Sequence, residues 1–88
     1  MYYVYILHLA NNQLYTGFTS DLKRRIKEHE GGKVESTKHK RPLKLLHYEA
    51  YLLESDARRR EKYLKGSEGK NSLRKQIRDI LLSLNKEL

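Results

Sequence analysis

Two short apolar segments, separated by polar residues, open the chain. The first, Tyr2 to Leu9, reads YYVYILHL and is dense in aromatic and β-branched residues, which is typical of a buried strand. Ala10 to Gln13 contains an Asn pair that favours a turn, and Leu14 to Thr19 predicts a second short strand. Two strands joined by so brief a link predict a β-hairpin.

Helical spacing replaces strand alternation after the hairpin. Ser20 predicts an N-cap, with Asp21 at the positive end of the helix dipole. The helix is expected to run to about Glu30, where the glycine pair at 31–32 ends it. Residues 33–40 then form a polar, basic loop.

The next apolar run again favours a strand. Pro42 cannot continue a helix and suits a strand start. Leu43 to Leu53 therefore predicts a third strand, although its leucine content leaves a helix possible. Ser55 is expected to cap a helix from Asp56 to about Lys65.

The last segment predicts an amphipathic helix. Gly66 to Gly69 is expected to break the preceding helix, and Asn71 or Ser72 to cap the last one. Its apolar positions recur at helical spacing, at Leu73, Ile77, Leu81, Leu84 and Leu88. The predicted order is β-β-α-β-α-α. This is an α+β fold, a three-stranded and mainly antiparallel sheet covered by helices, forming one domain over residues 1–88.

Charge narrows the functional classes. The 88 residues include 19 Lys and Arg against 11 Asp and Glu, a net charge of +8, which favours nucleic acid or an anionic membrane surface as a partner. The plainer interpretation is a basic chain that its charge keeps in solution. The absence of cysteine excludes thiolate metal sites and fits a reducing, cytoplasmic compartment. No apolar run has bilayer length, and we expect no signal peptide.

Four residues near the first predicted helix suggest a site. Arg25 and His29 are four residues apart and lie on one helix face, and Tyr15 and Gly17 lie on the strand that leads into this helix. Gly17 lets the backbone turn or lets a ligand approach closely. The spacing alone favours the plainer interpretation, in which Tyr15 packs in the sheet, Gly17 serves a turn and the other two are surface residues.

Glu61 is the second unusual position. It occupies the stripe of the predicted helix that Ala57 and Leu64 otherwise make apolar. A buried carboxylate is costly unless a cation meets it, either an arginine of the run at 58–60 or a hard metal ion such as Mg²⁺ or Mn²⁺. The other interpretation is an edge position from which the carboxylate reaches solvent. A basic segment suited to phosphate contacts, or to a solvated loop, comprises Lys38, Lys40, Arg41 and Lys44.

Together these residues resemble the GIY-YIG nuclease domain. Tyr3-Val4-Tyr5 stands where that family has Gly-Ile-Tyr, and Tyr15-Thr16-Gly17 stands for Tyr-Ile-Gly at the family's interval. Arg25, His29 and Glu61 fall at the family's arginine, aromatic-or-histidine and metal-binding glutamate positions.

The rest of the chain resembles small members of that family. The stretch TKHKRPLKLLHYE is similar to stand-alone domains of the kind found at the N-terminus of UvrC. Three positions depart from the pattern. Tyr3 replaces the first glycine, Phe18 stands where the repair nuclease has a lysine just after the second motif, and the late asparagine is matched by Asn71 only at a loose spacing.

The resemblance implies hydrolysis of phosphodiester bonds in nucleic acid, DNA before RNA, in repair or recombination. Glu61 would hold Mg²⁺ or Mn²⁺, and Arg25 would bind the non-bridging phosphate oxygens. Tyr5 and Tyr15 would position or deprotonate the attacking water, with pKa values lowered by nearby cations. His29 would orient a tyrosine or relay a proton. A protein partner that supplies specificity is left open.

Two other functions compete with the nuclease. One is a nucleic-acid-binding module that has the fold but no activity. The other is an interaction protein whose leucine-lined last helix docks on a partner, although those leucines are more simply the core face of that helix.

Overall fold

The computed structural model describes residues 1–86 and contains three strands and four helices in that range. The predicted Leu88 lies outside the described residues. The elements, in chain order, are β1 (Tyr2–His8), β2 (Leu14–Thr19), α1 (Leu22–Glu30), β3 (Lys44–Tyr51), α2 (Glu54–Lys65), α3 (Ser67–Gln76) and α4 (Arg78–Lys86). The longest helix in residues 1–86 has 12 residues, and none there combines the length and apolar character of a membrane span.

The sheet has the order β2-β1-β3, and both neighbours of β1 are antiparallel to it. The hairpin turn closes through the Leu9 N–H, which donates to the Gln13 carbonyl oxygen at 2.9 Å, and Asn12 adopts a positive φ of 69°. The predicted α+β class and the strand nature of the third apolar segment are both confirmed.

The central strand β1 is buried on both faces. Val4 and Ile6 point to one face, where they pack with Ala57 and Leu64 of α2 and Leu73 of α3. Tyr5, Leu7 and Leu9 form a second cluster on the other face, with Leu22 and Ile26 of α1 packed against it. Helices therefore cover both faces of a thin sheet, and the core is divided into two layers by β1.

The first helix begins one residue later than predicted. Asp21, not Ser20, is the N-cap, and its carboxylate accepts a hydrogen bond from the Arg24 N–H at 3.1 Å. Thr19 stays in β2, and its hydroxyl oxygen accepts from the Asp21 N–H at 3.0 Å. The prediction was wrong because β2 ends at Thr19, so that Ser20 forms the exposed bend between the strand and the N-cap.

The prediction for the second helix was wrong at its start. The helix begins at Glu54 with Leu53 as N-cap, and Ser55 lies inside the first turn, where Glu54 and Asp56 face the positive helix end. Two acidic residues near the dipole replace the serine cap.

The C-terminal region forms two helices where the sequence predicts one. Of the predicted break at residues 66–69, only Gly66 separates α2 from α3, and Gly69 and Asn71 lie inside α3. Gly69 is tolerated there because its backbone crosses that of α2 closely: a Cβ would overlap the Tyr63 carbonyl. The helix is then interrupted at the buried Ile77, with φ −106°, so that both α3 and α4 can bring apolar side chains to the same core cluster.

A network of polar side chains joins β3 to α2. The Arg60 guanidinium donates to both carboxylate oxygens of Glu49, at 2.9 and 3.3 Å, and the Tyr51 hydroxyl donates to the same carboxylate at 2.7 Å. His47 Nε2 lies 3.0 Å from it. Burial opposes ionisation of Glu49, but these hydrogen bonds from Arg60, His47 and Tyr51 together hold its pKa at about 2.

Gly17 lies inside β2, the strand on which it was predicted, and pairs with Tyr5 of β1, so of the two roles considered for it the turn is not the one it has. The Tyr5 ring lies over this glycine, and a Cβ at position 17 would overlap its Cζ and hydroxyl oxygen. The absent side chain therefore makes the space into which Tyr5 packs.

Gly17→Ala is expected to destabilise the fold by about 1–3 kcal/mol, the range for overpacking a core site. Urea unfolding of the purified protein measures this. In a Tyr5→Leu background, which lacks the overlapping ring atoms, the same substitution is expected to cost much less. Equal costs in the two backgrounds would show that the tyrosine ring is not the reason for the glycine.

Candidate active site

Tyr5 and His29 form the centre of the candidate site. Tyr5 comes from β1 and is 1% exposed, and His29 comes from the inner face of α1 and is 0% exposed. A hydrogen bond of 2.8 Å joins the Tyr5 hydroxyl to His29 Nε2, and the two rings meet edge to face with centroids 5.6 Å apart. The pairing brings together residues 24 positions apart in sequence.

Tyr15 completes an aromatic cluster around the imidazole. Its ring lies edge to face with His29 at 5.3 Å and 6.4 Å from the Tyr5 ring. Tyr15 is half-buried, and its hydroxyl accepts a long hydrogen bond of 3.3 Å from the Ser36 hydroxyl. Two tyrosine hydroxyls are thereby held at one end of α1.

Arg25 lies one turn before His29 on the same helix face, as predicted. It is half-exposed and donates to the Glu28 carboxylate at 3.1 Å. Its guanidinium is close enough to Tyr5 for its charge to act on that hydroxyl. A cation therefore borders the buried pair without being buried itself.

The electrostatics of the pair contradict the expectation that cations make Tyr5 acidic. Burial raises the pKa of Tyr5 to about 12, and the opposing effect of Arg25 is smaller. Burial also lowers the pKa of His29 to about 4, with the Arg25 charge acting in the same direction. At neutral pH both groups are uncharged, because the core disfavours the charged form of each.

Thr37 is a site residue that the sequence reasoning missed. Its hydroxyl oxygen lies 2.7 Å from His29 Nδ1, and its side chain is 0% exposed. It belongs to a segment that the sequence presents only as a basic loop. A single threonine between Ser36 and Lys38 gives no pattern of its own, so only the folded chain reveals the contact.

Glu61 lies on α2 and is 17% exposed. Its partner is Lys65, one turn further on, whose ammonium lies 3.1 Å from Oε2. The alternative pairing with an arginine of the run at 58–60 does not form, because Arg58, Arg59 and Arg60 bind other carboxylates. The Glu61 charge also raises the pKa of Tyr5, as the smallest of the five influences on that hydroxyl.

Two residues of the predicted basic segment make contacts within the protein. Lys38 pairs with Glu35 at 3.1 Å. Arg41 donates to the carbonyl oxygens of Lys38 and Glu30, at 3.0 and 3.1 Å, and its guanidinium lies against the backbone at Gly32. Arg41 therefore fastens the loop after α1 to the end of that helix.

Three other predicted residues keep exposed or half-exposed side chains. Lys40 is half-exposed, and Lys44 at the start of β3 is exposed. Asn71 is exposed within α3, and no described contact joins it to the tyrosine cluster. The described residues contain no group of three or more His, Cys, Asp or Glu side chains that would form a metal cage.

The family of the chain follows from this fold together with its sequence. The model of the GIY-YIG catalytic domain matches residues 1–75, which include the tyrosine cluster, Arg25 and Glu61. The chain belongs to the GIY-YIG family, as its resemblance predicted.

Related proteins of similar size carry the label UPF0213. A UPF0213 protein of Haloquadratum walsbyi is 37% identical over 82 residues, which is 90% of this chain and 92% of that protein. One from Staphylococcus haemolyticus is 42% identical over 65 residues, covering 73% and 79%. The solution NMR structure of a UPF0213 protein from Bacillus halodurans is 36% identical, with a TM-score of 0.54 and coverage of 83% and 82%. The fold and the family are thus shared with small domains.

Burial of neutral His29 predicts a loss of stability on acidification. Its pKa falls from 6.5 to about 4 on folding, so the unfolded state binds the proton more tightly. The stabilising contribution is complete above about pH 6.5 and is lost as pH falls toward 4, by on the order of 3 kcal/mol. Urea unfolding measured between pH 7.5 and 5, above the range in which Glu49 titrates, tests this.

Two variants test whether His29 is the source of this pH dependence of stability. His29→Gln is expected to be less stable at pH 7.5 but to lose the dependence on pH. His39→Gln, which changes an exposed histidine, is expected to keep the dependence of the parent protein. A pH dependence that survives in His29→Gln contradicts the assignment.

Proposed function

We propose that this protein hydrolyses phosphodiester bonds of nucleic acid, DNA in preference to RNA, with Mg²⁺ or Mn²⁺ as cofactor. The observation that carries the proposal is the buried Tyr5–His29 hydrogen bond, bordered by Arg25 and by the charge of Glu61. Membership of the GIY-YIG family supports it.

Arg25 is suited to binding the reacting phosphate. A guanidinium presents several N–H donors in one plane and matches two phosphate oxygens at once. Its present partner, Glu28, is a half-exposed neighbour on the same helix, and exposed ion pairs of this kind contribute little stability. Exchange of that carboxylate for a phosphate is therefore inexpensive.

Glu61 fits the metal role. Mg²⁺ is commonly held by one or two carboxylates together with water and substrate phosphates, so a single acidic residue is a sufficient protein ligand set. Within the described residues, Oε2 of Glu61 bonds to Lys65, and no protein donor binds Oε1. When bound, the metal would supply Lewis acidity at the phosphate and the leaving oxygen.

Tyr5 is assigned the position of a neutral hydrogen-bonding group. With a pKa of about 12 its hydroxyl stays protonated at pH 7, so it orients the water or phosphate and is not a free tyrosinate base. His29 holds that hydroxyl from behind. Tyr15 has its hydroxyl nearer the surface and provides a second contact to the attacking water.

Basic side chains beyond the cluster would follow the nucleic-acid backbone. Lys40 and Lys44 are available for phosphate contacts, and Lys38 becomes so if Glu35 releases it. Arg41 serves the loop structure first. A partner protein that adds specificity and a role in DNA repair or recombination complete the proposal.

One observation favours a second function, a nucleic-acid-binding module without activity. The ion pair between Glu61 and Lys65 neutralises the carboxylate on which metal binding depends. A domain that keeps this pair in the presence of Mg²⁺ would bind nucleic acid through Arg25 and the lysines alone.

Cleavage of labelled single-stranded, duplex and branched DNA and RNA tests the proposal. With Mg²⁺ or Mn²⁺ the protein is expected to cut DNA, and EDTA to abolish cutting. Glu61→Gln is expected to lower kcat about a hundredfold or more, because a metal supplies several kcal/mol of transition-state stabilisation. Glu30→Gln, which changes an exposed acid on α1, is the matched control and is expected to retain activity.

Binding without cutting on every substrate would favour the binding module. Equal affinity of Glu61→Gln and the parent protein for DNA, with no metal-dependent product from either, would overturn the nuclease and leave Glu61 as the structural partner of Lys65.

A further inference from the structure

Thr37 is held rigidly in a turn that follows α1. Its N–H donates to the Val34 carbonyl at 3.1 Å, and its own carbonyl accepts from the Lys40 N–H at 2.9 Å. The side chain is fully buried, and among the described residues its hydroxyl has one hydrogen-bond partner, His29 Nδ1 at 2.7 Å.

The hydrogen-bonded side chains Tyr5, His29 and Thr37 carry one more polar hydrogen than their two hydrogen bonds use. At neutral pH each hydroxyl carries a hydrogen and the imidazole carries one, because the pKa of His29 is about 4 and that of Tyr5 about 12. Two bonds, at 2.8 and 2.7 Å, consume two of these three hydrogens. The third hydrogen lies on one of the two outer hydroxyls, that of Thr37 or that of Tyr5, and its location decides the tautomer of His29.

The two ends differ in their surroundings. A hydrogen left on Thr37 would point into the closed interior of the turn, where no described acceptor serves it, and a buried unsatisfied donor is costly. Tyr5 is itself 1% exposed, but its neighbours Tyr15 and Arg25 are half-exposed, so this end of the network lies next to the surface. An oxygen of water or phosphate that enters beside these two side chains can accept the Tyr5 hydrogen.

We propose that Thr37 is a positioning residue that donates to Nδ1 and so fixes His29 as the tautomer protonated at Nε2. His29 then donates to the Tyr5 oxygen, and the hydrogen of the Tyr5 hydroxyl points toward the substrate. The assignment of a substrate at that end rests on the proposed function, whereas the tautomer does not.

The same turn reaches the second tyrosine. Ser36, the residue before Thr37, donates to the Tyr15 hydroxyl at 3.3 Å. Two neighbouring hydroxyls on one turn therefore orient both tyrosines, one directly and one through His29. The loop after α1 therefore contributes to the site through these two hydroxyls as well as through its lysines.

The tautomer is measured directly by long-range proton–nitrogen correlation NMR on uniformly ¹⁵N-labelled protein at pH 7. The expected spectrum shows His29 with a protonated Nε2 and an unprotonated Nδ1. A slowly exchanging Thr37 hydroxyl proton, with a cross-relaxation peak to the His29 ring, is expected in the same sample. A protonated Nδ1 in the unmodified protein overturns the proposal without any variant.

Substitutions then test whether Thr37 is the cause. Thr37→Val keeps the shape but removes the donor, and it is expected to lose the fixed Nε2 tautomer. Thr37→Ser restores the hydroxyl and is expected to restore the spectrum. An unchanged tautomer in Thr37→Val overturns the proposal, and if that variant does not fold, the spectra of the unmodified protein and of Thr37→Ser decide it.

Activity gives a separate readout. In the DNA cleavage assay Thr37→Val is expected to reduce kcat roughly tenfold, a part of what a well-placed acid–base group supplies, with KM little changed. A protein that shows the Nε2 tautomer but cuts no nucleic acid refutes the proposed nuclease and leaves the assignment of Thr37 intact.

Discussion

The burial of the Tyr5 ring is the constraint from which the arrangement of this domain follows. A tyrosine on the central strand can lie flat over the neighbouring strand only where that strand has no side chain, and Gly17 meets this requirement. The hydroxyl is then inside the protein and needs a partner, which His29 provides from α1. That bond fixes the position of the helix on the sheet, and with it the position of Arg25 one turn earlier.

The two faces of the sheet solve the problem of buried polar groups in opposite ways. On the α1 face, Tyr5, His29 and Thr37 are all neutral, and charges remain at the border. On the other face, Glu49 is ionised and is neutralised by the Arg60 fork, which ties β3 to α2. A neutral network needs no buried counter-ion, so the charges on this face can stay at the border, where they are partly exposed. A charged, fully bonded network resists change, which suits a structural tie.

The core extends beyond the part of the chain that the family model matches. Residues 1–75 end within α3, yet Ile77, Ile80 and Leu81 pack on the cluster built from Val4, Ile6 and Leu64. The bend at Ile77 directs α4 to this face. The last described helix thus belongs to the layer on the Val4 and Ile6 face of β1, opposite the face that carries the Tyr5–His29 pair.

The sequence by itself determined the hairpin, the amphipathic helix after it and the third strand, because these depend on local periodicity and on turn residues. The candidate set Tyr5, Tyr15, Arg25, His29 and Glu61 came from the resemblance of the sequence to the GIY-YIG domain. Tertiary structure decided the rest. Folding brings Thr37 into contact with His29, and it places the Tyr5 ring over Gly17. It also raises the pKa of Tyr5 instead of lowering it, because burial outweighs the effect of the nearby Arg25. In the folded protein Glu61 pairs with Lys65 and not with an arginine, and the predicted last helix is two helices, α3 and α4. Desolvation and packing contacts arise between residues distant in sequence, so no local pattern specifies them.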